Sequence, residues 1–178
     1  MIITISGLPG SGKSTIGKML SERLGYKHYS MGDLRGRWAM ERGITIDELN
    51  KLGEKEDWTD KDTDAYQEKL GKEEDNFVVD GRLSFHFIPR SFKVFLTVDP
   101  RVAARRVIKN PRPDEKPAKN VEELMATMQE RVENDERRYK KYYGLSFQNK
   151  INYDLVIDTT DLTPERILDK ILSKLRTK

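Results

Sequence analysis

The sequence predicts an α/β fold in which a parallel sheet is covered by helices on both faces. Three observations predict it. Short, near-continuously apolar, β-rich blocks recur along the chain, as strands buried on both faces require. Helix-sized amphipathic segments separate each block from the next, which is the alternation of a parallel sheet with its crossover helices. The 178 residues are enough for one domain with a core of its own and small insertions.

Residues 2–6 are β-branched and apolar and end at Gly7. Residues 14–24 put Ile16, Met19, Leu20 and Leu24 on one helical face and stop at Gly25. Residues 26–30 form a weaker strand. A polar helical insertion at 36–75 follows. In it Thr45-Ile46-Asp47-Glu48 is a capping box with Ile44 and Leu49 as its hydrophobic staple. Gly53 ends that helix, and a second one spans 59–70 and stops at Gly71. Strands are expected at 76–81, 92–100 and 153–159. After the 92–100 strand come a helix, a Pro- and Lys-rich loop at 110–119, and a long helix over 121–142. The last helix opens on Thr163-Pro164-Glu165 and turns Ile167, Leu168, Ile171, Leu172 and Leu175 inward. There is no internal repeat.

Composition removes several classes of chemistry. The absence of cysteine excludes disulfides and thiolate metal or redox sites. Two histidines, His28 and His86, leave little for a His-rich metal site or a Ser-His-Asp triad. Charged residues make up 35% against 36% hydrophobic, where about 25% charged is usual, so a heavily charged surface is expected. No apolar run approaches the ~18–20 residues that cross a bilayer, and a cytoplasmic protein without membrane partners is expected. The net charge of +3 gives no argument for nucleic acid. Its distribution says more: residues 41–75 hold 13 acids and 6 bases, whereas 82–141 hold 15 bases and 9 acids. The second segment could wall a polyanionic ligand.

Gly7-Leu8-Pro9-Gly10-Ser11-Gly12-Lys13-Ser14 matches G-x-x-x-x-G-K-[ST] between an apolar strand and an amphipathic helix, the context that gives the motif meaning. The glycines let backbone N–H groups turn inward around a phosphate. The helix N-terminus, which includes Thr15, presents donors and partial positive charge to the same anion. Lys13 neutralises phosphate oxygens, and Ser14 offers a hydroxyl to Mg²⁺. A switch-type GTPase is excluded, because neither Asn-Lys pair, at 50–51 or at 149–150, is followed by the base-reading aspartate.

Three further constellations admit two readings each. Asp80-Gly81-Arg82 is either a plain turn or an acid near a metal with a guanidinium aimed at phosphate. Ser30-Met31-Gly32-Asp33-Leu34-Arg35 is either an ordinary N-cap or a helix start that receives a phosphorylated acceptor. Arg131, Asp135 and Arg138 share one face of the long helix, beside an apolar stripe of Val121, Met125, Met128, Val132 and Tyr139. They are either a solvated ion-pair ladder or, with Arg105, Arg106 and Arg112, part of a basic lid over a triphosphate.

Taken together, these segments resemble the nucleoside monophosphate kinases, and among them the archaeal-type cytidylate kinases. The likeness runs from residues 3–7 into the cradle, then through Ser30-Met31-Gly32-Asp33, Val78-Val79-Asp80-Gly81-Arg82, Arg131…Asp135…Arg138-Tyr139, Tyr143-Gly144 and residues 153–159. The resemblance implies a P-loop NTPase fold, three-layer α/β/α, with five parallel strands in the order 2-3-1-4-5. It also implies an acceptor-binding insertion at 36–75 and a lid at 110–143. The implied reaction is ATP- and Mg²⁺-dependent phosphorylation of a nucleoside monophosphate, CMP or dCMP, by a monomer acting on small molecules. Adenylate or another small molecule is the alternative acceptor, and a non-catalytic nucleotide- or RNA-binding module is the alternative class.

The implied roles follow. Gly7, Gly10, Ser11, Gly12, Lys13, Ser14, Thr15, Arg106 and Thr159 hold ATP. Ser30, Gly32, Asp33, Arg35, Arg37, Asp64, Gly81, Arg82 and Asp135 hold the acceptor. Ser14, Asp33 and Asp80 serve the metal, and Lys13, Arg82, Arg131 and Arg138 are catalytic. Asp60, Asp64 and Gln67 share a helical face that could read a cytosine edge. The family often has an arginine where this chain has Gly36, so Arg35 and Arg37 both stand as candidates for the acceptor phosphate.

Overall fold

A computed structural model describes residues 1–56, 58–111 and 117–177. Five strands, β1 (Ile2–Gly7), β2 (Lys27–Ser30), β3 (Phe77–Asp80), β4 (Phe92–Thr97) and β5 (Leu155–Asp158), form one parallel sheet in the order β2-β3-β1-β4-β5. The expected strand order is therefore present. The strands are apolar on both faces because both are covered. Ile3, Ile5, Val78, Val94 and Leu96 point into one core, with Ile16 and Leu20 of α1 (Lys13–Leu24) and Ile167, Leu168 and Ile171 of α8 (Pro164–Leu175). Alternate residues point the other way: Ile2, Phe77 and Val79 pack with Met31, Leu70 and Ile88, and Phe95 packs with Phe85, Val132, Tyr139 and Phe147. Each such side chain contributes about 1.5–3 kcal/mol on burial.

Between β2 and β3 stand α2 (Met31–Glu41), α3 (Ile46–Gly53) and α4 (Trp58–Glu73). The Thr45–Glu48 capping box forms with both of its hydrogen bonds. Two expected boundaries are corrected. The helix α2 starts directly after β2 and continues through Gly36, so residue 36 begins no separate unit. Likewise α4 passes through Gly71 to Glu73. Gly71 is there for packing: a β-carbon at that position would lie 3.1 Å from Ile88 Cγ1 and Cγ2.

After β3 comes a single turn, α5 (Ser84–Phe87), which the sequence pattern does not suggest. Between β4 and β5 run α6 (Pro100–Lys109), α7 (Val121–Tyr143) and a 3₁₀ turn at Lys150–Asn152. The helix α7 packs on α6 and on α3. Among the described residues no helix is long and apolar enough to cross a membrane.

Candidate active site

At the end of β1 the chain turns through Gly10 (φ 69°) and Gly12 (φ 89°) into α1, a left-handed course that glycine takes without strain. Gly10 also lies against α6, where a β-carbon would meet Ala103 Cβ at 2.8 Å. The start of α1 has no side-chain cap, so its first N–H groups remain available to an anion. Lys13 Nζ donates to Leu8 O over 2.8 Å. Ser11 Oγ is buried with no hydrogen-bond partner among the described residues.

Sheet register brings the next groups to this loop. Asp80 ends β3, beside Ile5 of β1 and Ser30 of β2. Ser14 Oγ donates to Asp80 Oδ1 (2.8 Å) and Ser30 Oγ to the same atom (3.3 Å). His28 Nε2 lies 2.8 Å from Asp80 Oδ2. Three side chains from α1 and β2 thus orient one carboxylate that is 3% exposed. Sequence reasoning misses His28, because a single histidine in a weak strand carries no signal. The Ser14 hydroxyl and the Asp80 carboxylate are hard oxygen donors, a set that suits a small divalent cation keeping most of its own waters. Among the described residues no group of three or more His, Asp or Glu side chains forms a closed metal cage.

A buried ionic network lines the same cavity. Arg35 of α2 meets Asp60 of α4, with Nη1 2.6 Å from Oδ1, and its Nη2 donates to Asn50 Oδ1 of α3 over 3.1 Å. Arg138 of α7 places Nε 2.9 Å from Asp60 Oδ2. Its Nη2 donates to Asp135 Oδ1 over 2.9 Å, and its Nη1 to Asn50 and Asn134. Arg82 Nη1 is 2.5 Å from Asp135 Oδ2. This contact and the Arg138 Nε contact with Asp60 are ion pairs without hydrogen-bond alignment. Arg138 is 1% and Asp135 2% exposed, so they form no solvated ladder. The apolar stripe beside them deepens toward the helix end: Val132 and Tyr139 are buried, Met125 and Met128 only half-buried.

The charges in this network reinforce one another. Burial would raise the Asp135 pKa, but Arg82, Arg138 and Arg131 around it hold its carboxyl below the usual range. Burial opposes the Arg138 charge, yet Tyr139, Asp135 and Asp60 raise its pKa further. Burial lowers that of Arg82. Asp64 is the exception among the acids. Burial pushes it up to about 7, against the hydroxyl of Tyr143, which donates to it. Gln67 on the same face of α4 accepts from Ser84 Oγ at 2.6 Å.

One cavity of about 770 Å³ joins the two regions. It is lined by Gly10 to Thr15, Gly32, Arg35, Asp64, Asp80, Gly81, Arg82, Arg106, Arg131, Asp135 and Arg138. Gly7, Ser30 and Thr159 stand behind that lining. Thr159 is fully buried, and its hydroxyl donates to Ser11 O or Thr97 O. Arg106 Nη1 donates to that hydroxyl and Nη2 to the Thr159 carbonyl.

Two candidates are not brought to the cavity. Asp33 and Arg37 are exposed and absent from its walls. A helix turns about 100° per residue, so the positions two before and two after Arg35 face away when Arg35 faces in. Arg35, not Arg37, lines the site. Arg105 is exposed on α6, and Arg112 lies outside the described residues.

A phosphate loop on the central strand, an aspartate at the tip of its neighbour and an arginine cluster across the gap, on a sheet of this order, define a P-loop kinase. Residues 2–161 match the cytidylate kinase-like family, and the chain belongs to it. It is an enzyme of the nucleoside monophosphate kinase class. It is 34% identical over 179 residues to a cytidylate kinase of Archaeoglobus fulgidus, covering 100% of this chain and 96% of that one. It is also 36% identical over 171 residues to an S-adenosylmethionine-dependent nucleotide dehydratase of Lacinutrix mariniflava, covering 96% of this chain. It spans only 35% of that protein's length. Among solved structures, the shikimate kinase of Bacteroides thetaiotaomicron superposes with a TM-score of 0.66 at 20% identity, covering 99% of this chain and 98% of that one. That likeness concerns the fold.

Proposed function

We propose that the protein transfers the γ-phosphoryl group of ATP to CMP or dCMP, giving ADP and CDP or dCDP. The observation that carries this reading is the single cavity with a phosphate loop and a buried arginine cluster in its walls. Two polyanions must be brought together, and each finds fixed positive charge. The named activity of the Archaeoglobus relative favours the cytidine acceptor.

The attacking atom is already an anionic phosphate oxygen, so no strong base is needed and the work is positioning and neutralisation. The loop from Gly7 to Thr15 holds the donor phosphates through its N–H groups, and Lys13 neutralises their outer oxygens. Arg106 forms the wall beside the donor, held from behind by Thr159. Ser14 and Asp80 would hold magnesium, which supplies charge neutralisation at the donor phosphates. Gly32, Arg35, Gly81 and Arg82 receive the acceptor phosphate. Asp135 acts through the two arginines it pairs, and Arg131 and Arg138 stabilise the charge in flight. Asp64, on α4 of the helical stretch between β2 and β3, faces the base. Residues 110–143 serve as the lid, with α7 anchored in the body from Val132 onward.

A panel of CMP, dCMP, UMP, AMP and shikimate, each with ATP and Mg²⁺, tests this through ADP release. CMP and dCMP should give the highest kcat/KM. A preference for another acceptor overturns the substrate assignment, and no ADP from any of them overturns the reaction.

A further inference from the structure

On sequence grounds Asp60 belongs with Asp64 and Gln67 as a reader of the acceptor base. Its surroundings give it other work. It is 5% exposed, and both carboxylate oxygens are engaged: Oδ1 with Arg35 Nη1 at 2.6 Å and Oδ2 with Arg138 Nε at 2.9 Å. Asn50 completes the arrangement by accepting from Arg35 Nη2 at 3.1 Å and Arg138 Nη1 at 3.3 Å. Oδ1 is hydrogen-bonded to Arg35, and Oδ2 is neutralised by the Arg138 charge without a hydrogen bond, so the charge of this carboxylate is committed to the two arginines.

The arrangement answers an electrostatic problem. Arg35 comes from α2 and Arg138 from α7, and two guanidinium ions in a poorly hydrated site repel each other strongly. Side by side they need an anion between them. A phosphate can be that anion, but only when it is bound. Asp60 supplies a permanent one from a third helix. Within this cluster four arginines (Arg35, Arg82, Arg131 and Arg138) then outnumber two aspartates (Asp60 and Asp135), a positive excess that suits a phosphate dianion, while Asp47 and Asp64 line the same cavity.

We propose that Asp60 is a positioning residue: its carboxylate holds Arg35, which receives the acceptor's phosphate, at a fixed spacing from Arg138, and its charge keeps simple inorganic anions from taking that place. The proposal rests on the reading of this cavity as the acceptor site.

The test uses the full chain and Asp60→Asn, which keeps the shape and one oxygen acceptor but removes the charge. The kcat with CMP should fall about 10- to 100-fold, because misplaced reacting groups lose rate steeply. The KM for ATP should stay within twofold, which general unfolding of the site would not produce. Inorganic phosphate, titrated calorimetrically with no nucleotide present, should bind the variant at least fivefold more tightly than wild type. A kcat within threefold of wild type, or equal phosphate affinity in the two proteins, overturns the proposal. The phosphate titration needs no phosphoryl transfer. If wild type turns over no mononucleotide while the variant still binds phosphate more tightly, the functional reading fails and the role of Asp60 stands. Should Asp60→Asn not fold, the wild-type protein decides: the Arg138 Nε–H resonance, assigned through Arg138→Lys, should shift on adding CMP and stay in place on adding ATP alone. No shift with CMP overturns the proposal.

Discussion

The two ends of the cavity are built in opposite ways. The donor end comes from one short stretch, residues 7–15, whose backbone turn and helix start supply most of the donors. The other end comes from Arg35, Asn50, Asp60, Arg82, Asp135 and Arg138, carried by α2, α3, α4, the turn after β3 and α7. Backbone N–H groups are neutral and can crowd around a site that later receives a phosphate. Guanidinium ions cannot crowd without counter-ions, so that end needs carboxylates, and only long-range packing delivers them. A P-loop can therefore be local, whereas an arginine cluster has to be a product of the tertiary fold.

The contrast can be broken by substitution, starting where the effect should be largest. Lys13→Ala should cost at least about 10²–10³ in kcat, the scale for losing one preorganised donor. It should leave urea unfolding nearly unchanged, since the ammonium donates to Leu8 O within its own loop. Near-normal ADP release by this variant would remove the mechanism. Arg138→Ala should fail differently. From sequence alone one expects it to harm turnover far more than folding. Burial reverses that expectation: removing a guanidinium that pairs Asp60 and Asp135 leaves charges buried and should cost about 3–5 kcal/mol of stability as well as activity. If Arg138→Ala unfolds at the wild-type urea concentration, the two ends are not built differently after all.

A smaller effect separates Asp64 from the ionised acids beside it. Its pKa is raised from 3.8 to about 7, so the folded state binds this proton more tightly than the unfolded chain does. Its contribution to stability is therefore complete below about pH 4 and declines as pH rises to about 7. The stability difference between wild type and Asp64→Asn should shift in favour of the variant across that window, measured by urea unfolding at pH 4, 5.5 and 8. A constant difference would show that Asp64 is ionised throughout, like Asp135. The smallest effect belongs to Arg37→Ala. An exposed side chain outside the cavity should change stability by no more than about 0.5 kcal/mol and the acceptor KM by less than twofold. A large rise in that KM would return Arg37 to the site and displace Arg35.

Much of this architecture is legible in the order of the residues. Alternating apolar blocks and helical segments give the layers because buried parallel strands have no polar face to show. The phosphate loop is readable because its residues are consecutive and each type answers a local demand. Sequence reasoning misplaces Asp33 and Arg37 because the motif specifies a helix start but not which side of the helix faces the cavity. His28 and Asn50 escape it, since each has meaning only through a partner distant in sequence: Asp80 for one, Arg35 and Arg138 for the other. Gly71 reads as a helix stop and is instead a place where Ile88 comes close.

Periodicity, turn chemistry and one contiguous motif are thus sufficient for the sheet, the helices and the donor phosphate site, because all three depend on neighbours a few residues away. Which arginine turns inward, which aspartate neutralises it and which acid keeps its proton near neutrality depend on burial and on charges drawn from helices far apart in the chain. Those properties exist only once the helices have packed, because an ion's partners and its contact with water are set by the space around it.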